Sequence, residues 1–99
     1  MCGAPDQDTL PALEVGAGEA VLHGFVAKGG EPLGGAYVRL LDGTGEFTAE
    51  VQSSTTGYFR FYAAAGDWTL RTLYRGGSVD TPVTARQGAA VDAQVVVPG

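Results

Sequence analysis

The chain is poor in residues that hold small proteins together by chemistry rather than packing. Of 99 residues, one is cysteine, one methionine, one tryptophan and one histidine. A single cysteine, Cys2, forbids an intrachain disulfide and fits a reducing compartment. Basic residues are also scarce, six Lys and Arg against eleven Asp and Glu, for a net charge of −5. An acidic surface repels both phosphate backbones and anionic headgroups, so neither nucleic acid nor a membrane is expected as a partner. No apolar run approaches the ~20 residues of a membrane-spanning helix. The opening residues show neither a basic nor an apolar leader region, so a cytoplasmic address is expected. No segment sustains a period of ~3.6 residues, which excludes a long amphipathic helix.

What is present is glycine, 16 residues of it, scattered among short apolar runs in a chain that is 44% hydrophobic. Many turns imply many short strands. Residues 1–18, with Pro5 and Pro11 and no period, read as a flexible N-terminal arm. Residues 19–99 read as one domain. Strands are expected at 20–27, 36–41, 46–53, 58–62, 68–75, 79–85 and 90–97. Leu22, Gly24 and Val26 share one face of the first, and Val38 and Leu40 one face of the second. Phe59, Phe61, Trp68 and Leu70 are candidate core residues. Pro82 places its strand at a sheet edge, because proline cannot donate to a ladder. About seven strands joined by tight turns make an all-β sandwich.

The segment from Gly24 to Leu70 resembles the carboxypeptidase regulatory-like domains. The marks are Gly24 and Val26, Pro32-Leu33 before Gly35-Ala36, Val38 and Leu40, Thr56-Gly57, Phe59 and Phe61, and Gly66 with Trp68 and Leu70. The resemblance implies a transthyretin-like (prealbumin-like) β-sandwich and says nothing of activity. Over its whole length the chain resembles a narrower group, small actinobacterial proteins of unknown function encoded beside thiosulfate sulfurtransferases (the SseC family). The segments concerned are Met1–Pro5, GGAYVRLLD at 34–42, EFTAEV at 46–51, TGYFRF at 56–61 and GDWTLR at 66–71. That resemblance implies a link to sulfur metabolism and a thiosulfate sulfurtransferase, or rhodanese, as partner.

Cys2 is the one candidate sulfur acceptor. Removal of Met1, expected before so small a side chain, would set the new ammonium beside a thiol whose ordinary pKa is about 8.5. A neighbouring positive charge favours the thiolate, the form that attacks a persulfide. Capture of a metal by this amine and thiol with His23 would supply too few ligands, so neither a metal nor another cofactor is expected.

Seven outward positions, Tyr37, Arg39, Tyr58, Arg60, Tyr62, Arg71 and Arg75, form a candidate partner-binding face if their strands adjoin in one sheet, since Tyr and Arg are enriched where proteins bind. Plain cross-strand pairing on a solvated face is the competing reading. His23 has no nucleophile motif near it. Asp42–Glu46 is too short and too poor in carboxylates for calcium, and the Gly29-Gly30 and Gly34-Gly35 pairs lack the Gly-Lys-Ser/Thr of a phosphate loop. No catalytic residues are identified. The expectation is therefore a non-enzymatic accessory protein that accepts sulfur on Cys2. The alternative is a binding or structural module that joins a partner, or a second copy of itself, through this face or a sheet edge.

Overall fold

Alternating apolar residues on Gly-punctuated segments fold here into strands alone. The computed structural model describes residues 19–98, and these contain eight strands and no helix. They are β1 (Ala20–Lys28), β2 (Glu31–Pro32), β3 (Tyr37–Leu41), β4 (Phe47–Gln52), β5 (Tyr58–Ala63), β6 (Gly66–Tyr74), β7 (Gly77–Ala85) and β8 (Ala89–Val97). Seven match the expected strands. The eighth, β2, lies inside what reads as a glycine turn. Gly29 and Gly30 both take positive φ, 60° and 83°, as a two-residue hairpin turn requires, and Lys28 pairs with Glu31 across it. Residues 1–18, and Cys2 with them, lie outside the described residues, as does Gly99.

In the first sheet β1 is central. β8 runs parallel along one of its edges from Ala20↔Ala89 to Lys28↔Val97. Antiparallel β5 and then β2 share the other edge. The second sheet is antiparallel, in the order β4-β3-β6-β7. Pro82 sits on β7, an edge strand, as its missing N–H demands.

The core fills the space between the sheets. On the first sheet the inward rows are Val91–Leu22–Phe61 and Ala93–Gly24–Phe59. On the second they are Val51–Val38–Thr72–Val79 and Ala49–Leu40–Leu70–Thr81. Leu22, Val26, Val38, Leu40, Phe59 and Leu70 are all essentially inaccessible. Burying each such side chain is worth roughly 1.5–3 kcal/mol. Gly24 is fixed by proximity, because a Cβ there would run into the carbonyl oxygen of Ala93 on β8. Ser53 is buried and satisfied: its Oγ accepts from the Ala36 N–H at 2.9 Å and donates to the Leu33 carbonyl at 2.8 Å, tying the 33–36 loop to the end of β4. Thr72 is buried and unsatisfied, for its hydroxyl finds no partner. Among the described residues no helix is long and apolar enough to cross a membrane.

Candidate functional site

The outward positions of each sheet follow from the registers, and they divide the expected Arg/Tyr face in two. Tyr37, Arg39 and Arg71 lie on the second sheet. Tyr58, Arg60 and Tyr62 lie on the first, whose outer surface faces the opposite way. Arg75 belongs to neither. It follows the last residue of β6 and, with Tyr74 and residues 33–36, lines a small cavity of ≈ 160 Å³. Alternation places six of these side chains on outward phases and leaves Arg75 just beyond β6; the condition for one shared face, that their strands adjoin in one sheet, is not met.

On the second sheet the charges are matched. One row across the four strands reads Glu50–Arg39–Arg71–Asp80. Arg39 Nε donates to Glu50 at 2.7 Å. Arg71 grips Asp80 through Nε at 2.9 Å and a terminal nitrogen at 3.1 Å. This hydrogen-bonded, charge-assisted contact holds the Asp80 carboxyl below its usual range and raises the Arg71 guanidinium. Each cation has its anion, so little field is left for a visitor.

The first sheet is arranged differently. Its outer rows, from β8 across β1 to β5, are Ala90–Val21–Tyr62, Asp92–His23–Arg60 and Gln94–Phe25–Tyr58. Outward-facing Val21 and Tyr58 are nevertheless 1% and 2% exposed. Tyr58 makes edge-on ring contacts with His23 and with Phe25, at centroid distances of 6.0 and 5.4 Å. Its hydroxyl lies 3.4 Å from His23 Nδ1. Burial raises the Tyr58 phenol, and the Arg60 charge partly opposes that shift. Arg60 has no carboxylate among the described residues. Its guanidinium instead lies 5.8 Å from the Tyr62 ring centroid, and that ring is 61% exposed. Asp92 is engaged by the Gln94 amide at 3.0 Å. Beside Tyr62 a shallow depression of ≈ 330 Å³ opens against Glu19, Ala20, Ala63 and Ala64.

The sequence reading named Tyr58, Arg60, Tyr62 and His23 but missed their neighbours Val21, Phe25, Asp92 and Gln94. One signal was available: β1 is apolar on both faces, with Val21 and Phe25 out of phase with Leu22 and Val26, as in a strand flanked on both sides. A cavity of ≈ 460 Å³ at the start of β6, between Asp67, Trp68, Pro82 and Thr84, is already internally bonded. Thr84 donates to Asp67 at 3.0 Å, and the Trp68 indole donates to the Ala64 carbonyl at 2.8 Å. No three of His, Cys, Asp and Glu converge on a metal position among the described residues.

Two uncharacterized proteins of Mycobacterium tuberculosis, Rv0814c and Rv3118, are each 53% identical to this chain over 85 residues, 84% of the chain and 85% of the relative. An uncharacterized protein of Mycolicibacterium smegmatis is 53% identical over 74 residues, 74% of this chain and 81% of its own length. Among solved structures, the dioxygenase domain of a dioxygenase carbohydrate-binding protein fusion from Streptomyces sp. SirexAA-E superimposes with a TM-score of 0.66. It covers 89% of this chain and 84% of its own at 12% identity, a likeness of fold alone. Residues 2–97 match one family throughout, and the chain belongs to it: DUF1416, a protein family of unknown function.

Proposed function

We propose that this protein is a non-enzymatic interaction module whose first-sheet outer face receives an acidic, apolar-flanked segment of a partner protein. The observation that carries this reading is Arg60. It is a cation without a carboxylate among the described residues, lying over an exposed tyrosine, while Arg39 and Arg71 are both neutralised in pairs. A desolvating partner gains from an unspent guanidinium and a preformed aromatic platform. Tyr58, His23 and Phe25 form the rigid floor beneath them. The resemblance to proteins encoded beside thiosulfate sulfurtransferases names the partner to try first, in a reducing cytoplasm.

The test is calorimetry with a purified thiosulfate sulfurtransferase of the same organism. Binding should weaken at least about tenfold in Arg60→Ala/Tyr62→Ala. It should change less than about twofold in Arg39→Ala/Arg71→Ala, where rim pairs are removed. Equal losses in the two variants would refute the assignment of the face.

A second reading, sulfur transfer to Cys2, is favoured by one observation: the family match takes in Cys2, the chain's single thiol. In such a step the Cys2 thiolate attacks the outer sulfur of the sulfurtransferase's cysteine persulfide. A new S–S bond forms on Cys2, the enzyme's S–S bond breaks, and the electron pair leaves with the enzyme's thiolate, so no external oxidant is needed. Incubation with thiosulfate-loaded enzyme should add about 32 Da, one sulfur atom, to the wild type and nothing to Cys2→Ser. An unmodified wild type would end the relay reading and leave the binding module standing.

A further inference from the structure

The sandwich exposes several strand edges among its described residues, and all but one are blunted. β7 carries Pro82. The β3–β4 pairing is irregular at Leu40/Leu41, where the register shifts. β2 is two residues long and includes Pro32. β5 is six residues long, and its first carbonyl is already taken by the Ser54 N–H at 2.9 Å. Proline, irregularity and brevity are the usual guards against edge-to-edge association. β8 has none of them. It is nine residues, AAVDAQVVV, with no proline, lysine, arginine or glycine, and one of its edges is occupied along its whole length by β1.

The free edge also has a defined set of backbone groups. The carbonyl of Ala93 reaches across to Gly24. Backbone groups alternate sides along a strand, so those of Ala90, Asp92, Gln94 and Val96 turn away from β1. We propose that β8 is a homodimerisation edge, pairing antiparallel with β8 of a second copy about a two-fold axis at Ala93. That centre overlaps all nine residues, Ala89 meeting Val97. It sets Asp92 opposite Gln94 of the second copy and Gln94 opposite its Asp92. The chemistry of that pair is already visible within one chain, where the Gln94 amide donates to both Asp92 oxygens at 3.0 Å. Ala90 falls opposite Val96, which is 72% exposed in the single chain. A two-fold at Asp92 would instead set carboxylate against carboxylate, which cross-strand neighbours disfavour. The strand is thus complementary to itself in the one antiparallel register that uses its whole length. The product is a continuous first sheet across both copies, its outer rows joined end to end. An isologous contact of this kind closes on itself and stops at two.

The test is sedimentation velocity on the full chain from micromolar to several hundred micromolar, in moderate salt to screen the −5 charge of each copy. The wild type should reach twice the monomer mass. Gln94→Asp places two carboxylates face to face at both symmetry-related pairs and should weaken the dimer about tenfold. The exchange Asp92→Gln/Gln94→Asp restores an amide opposite each carboxylate and should recover it. Circular dichroism on each variant separates loss of dimer from loss of fold, and the exchange variant keeps the register testable even if the single one unfolds. A wild type that stays monomeric, a dimer indifferent to Gln94→Asp, or an exchange variant that fails to recover would overturn the proposal.

Discussion

The two outer faces of the sandwich draw on the same residue types and arrange them to opposite effect. On the second sheet, Arg39 and Arg71 stand side by side in register, and each turns outward to its own acid, Glu50 or Asp80. On the first, Asp92, His23 and Arg60 occupy one row, yet Asp92 is held by Gln94 and Arg60 lies over Tyr62. The tyrosines differ too. Tyr37 is 48% exposed, whereas Tyr58 is 2% exposed under its neighbours. A face whose charges cancel is a solvated surface. The first face, with buried aromatic residues, an unmatched cation and an exposed ring, is the one on which the proposed binding rests.

That difference has measurable consequences, the largest at the tyrosines. Tyr58→Ala should cost about 3–4 kcal/mol in denaturant unfolding, the range of a buried aromatic truncated. Tyr37→Ala should stay within about 0.5 kcal/mol, as a surface change. Similar costs at both positions would erase the distinction between the faces. Next comes the backbone beneath the first face. Gly24→Ala forces a methyl group against the Ala93 carbonyl, which is itself held in the β1–β8 ladder. A cost of about 3 kcal/mol is expected. In a domain of this size that lowers the thermal midpoint by roughly 12–24 °C.

The opposite sign is expected inside the second sheet. Thr72 sits between Val38 and Val79 in its inward row, fully buried, with no partner for its hydroxyl. Thr72→Val keeps the shape and removes the unsatisfied group, so the protein should become about 1 kcal/mol more stable in the same unfolding measurement. A loss of stability would mean that the hydroxyl is satisfied in solution, for instance by a water.

Sequence periodicity carried the strands and the inward faces because both are local. Side-chain alternation assigns Val38, Leu40, Phe59, Phe61 and Leu70 to the core without knowledge of any partner strand, and Pro82 marks an edge by itself. Strand order is not local. Tyr37, Arg39 and Arg71 have the same outward phase as Tyr58, Arg60 and Tyr62. Only the pairing of β5 with β1, and of β3 with β6, shows that the two sets face opposite ways. The parallel β1–β8 pair joins residues some seventy positions apart. No turn signal announces it, so Asp92 and Gln94 could not be placed beside His23 and Phe25. The two-residue β2 was hidden because Gly29-Gly30 and Pro32 are turn residues by composition, and a strand that short has no alternation to show.

The smallest expected effect concerns acid, and it tests whether the paired charges of the second face stabilise the fold at all. Arg71 holds the Asp80 carboxyl below its ordinary range by hydrogen bonding first and by its charge as well, with slight burial opposing. Asp42 is held low by the Thr44 hydroxyl and then by the N–H groups of Glu46 and Thr44 in the β3–β4 turn. A carboxyl lowered in the folded state binds protons more readily when unfolded. Its contribution is therefore complete above the unfolded value of about 3.9 and is lost as pH falls through the lower folded value. Thermal midpoints should be flat from pH 7 to about 5 on this account and decline below about 4. Asp80→Asn should lower the neutral plateau slightly and shallow the acid decline, and adding Asp42→Asn should shallow it further. Both groups are solvent-accessible, so salt should shrink the Asp80 effect through screening while leaving most of the Asp42 effect, which is hydrogen bonding within one turn. An acid limb unchanged by Asp80→Asn would show that the Arg71–Asp80 pair, though well formed, does not stabilise the fold.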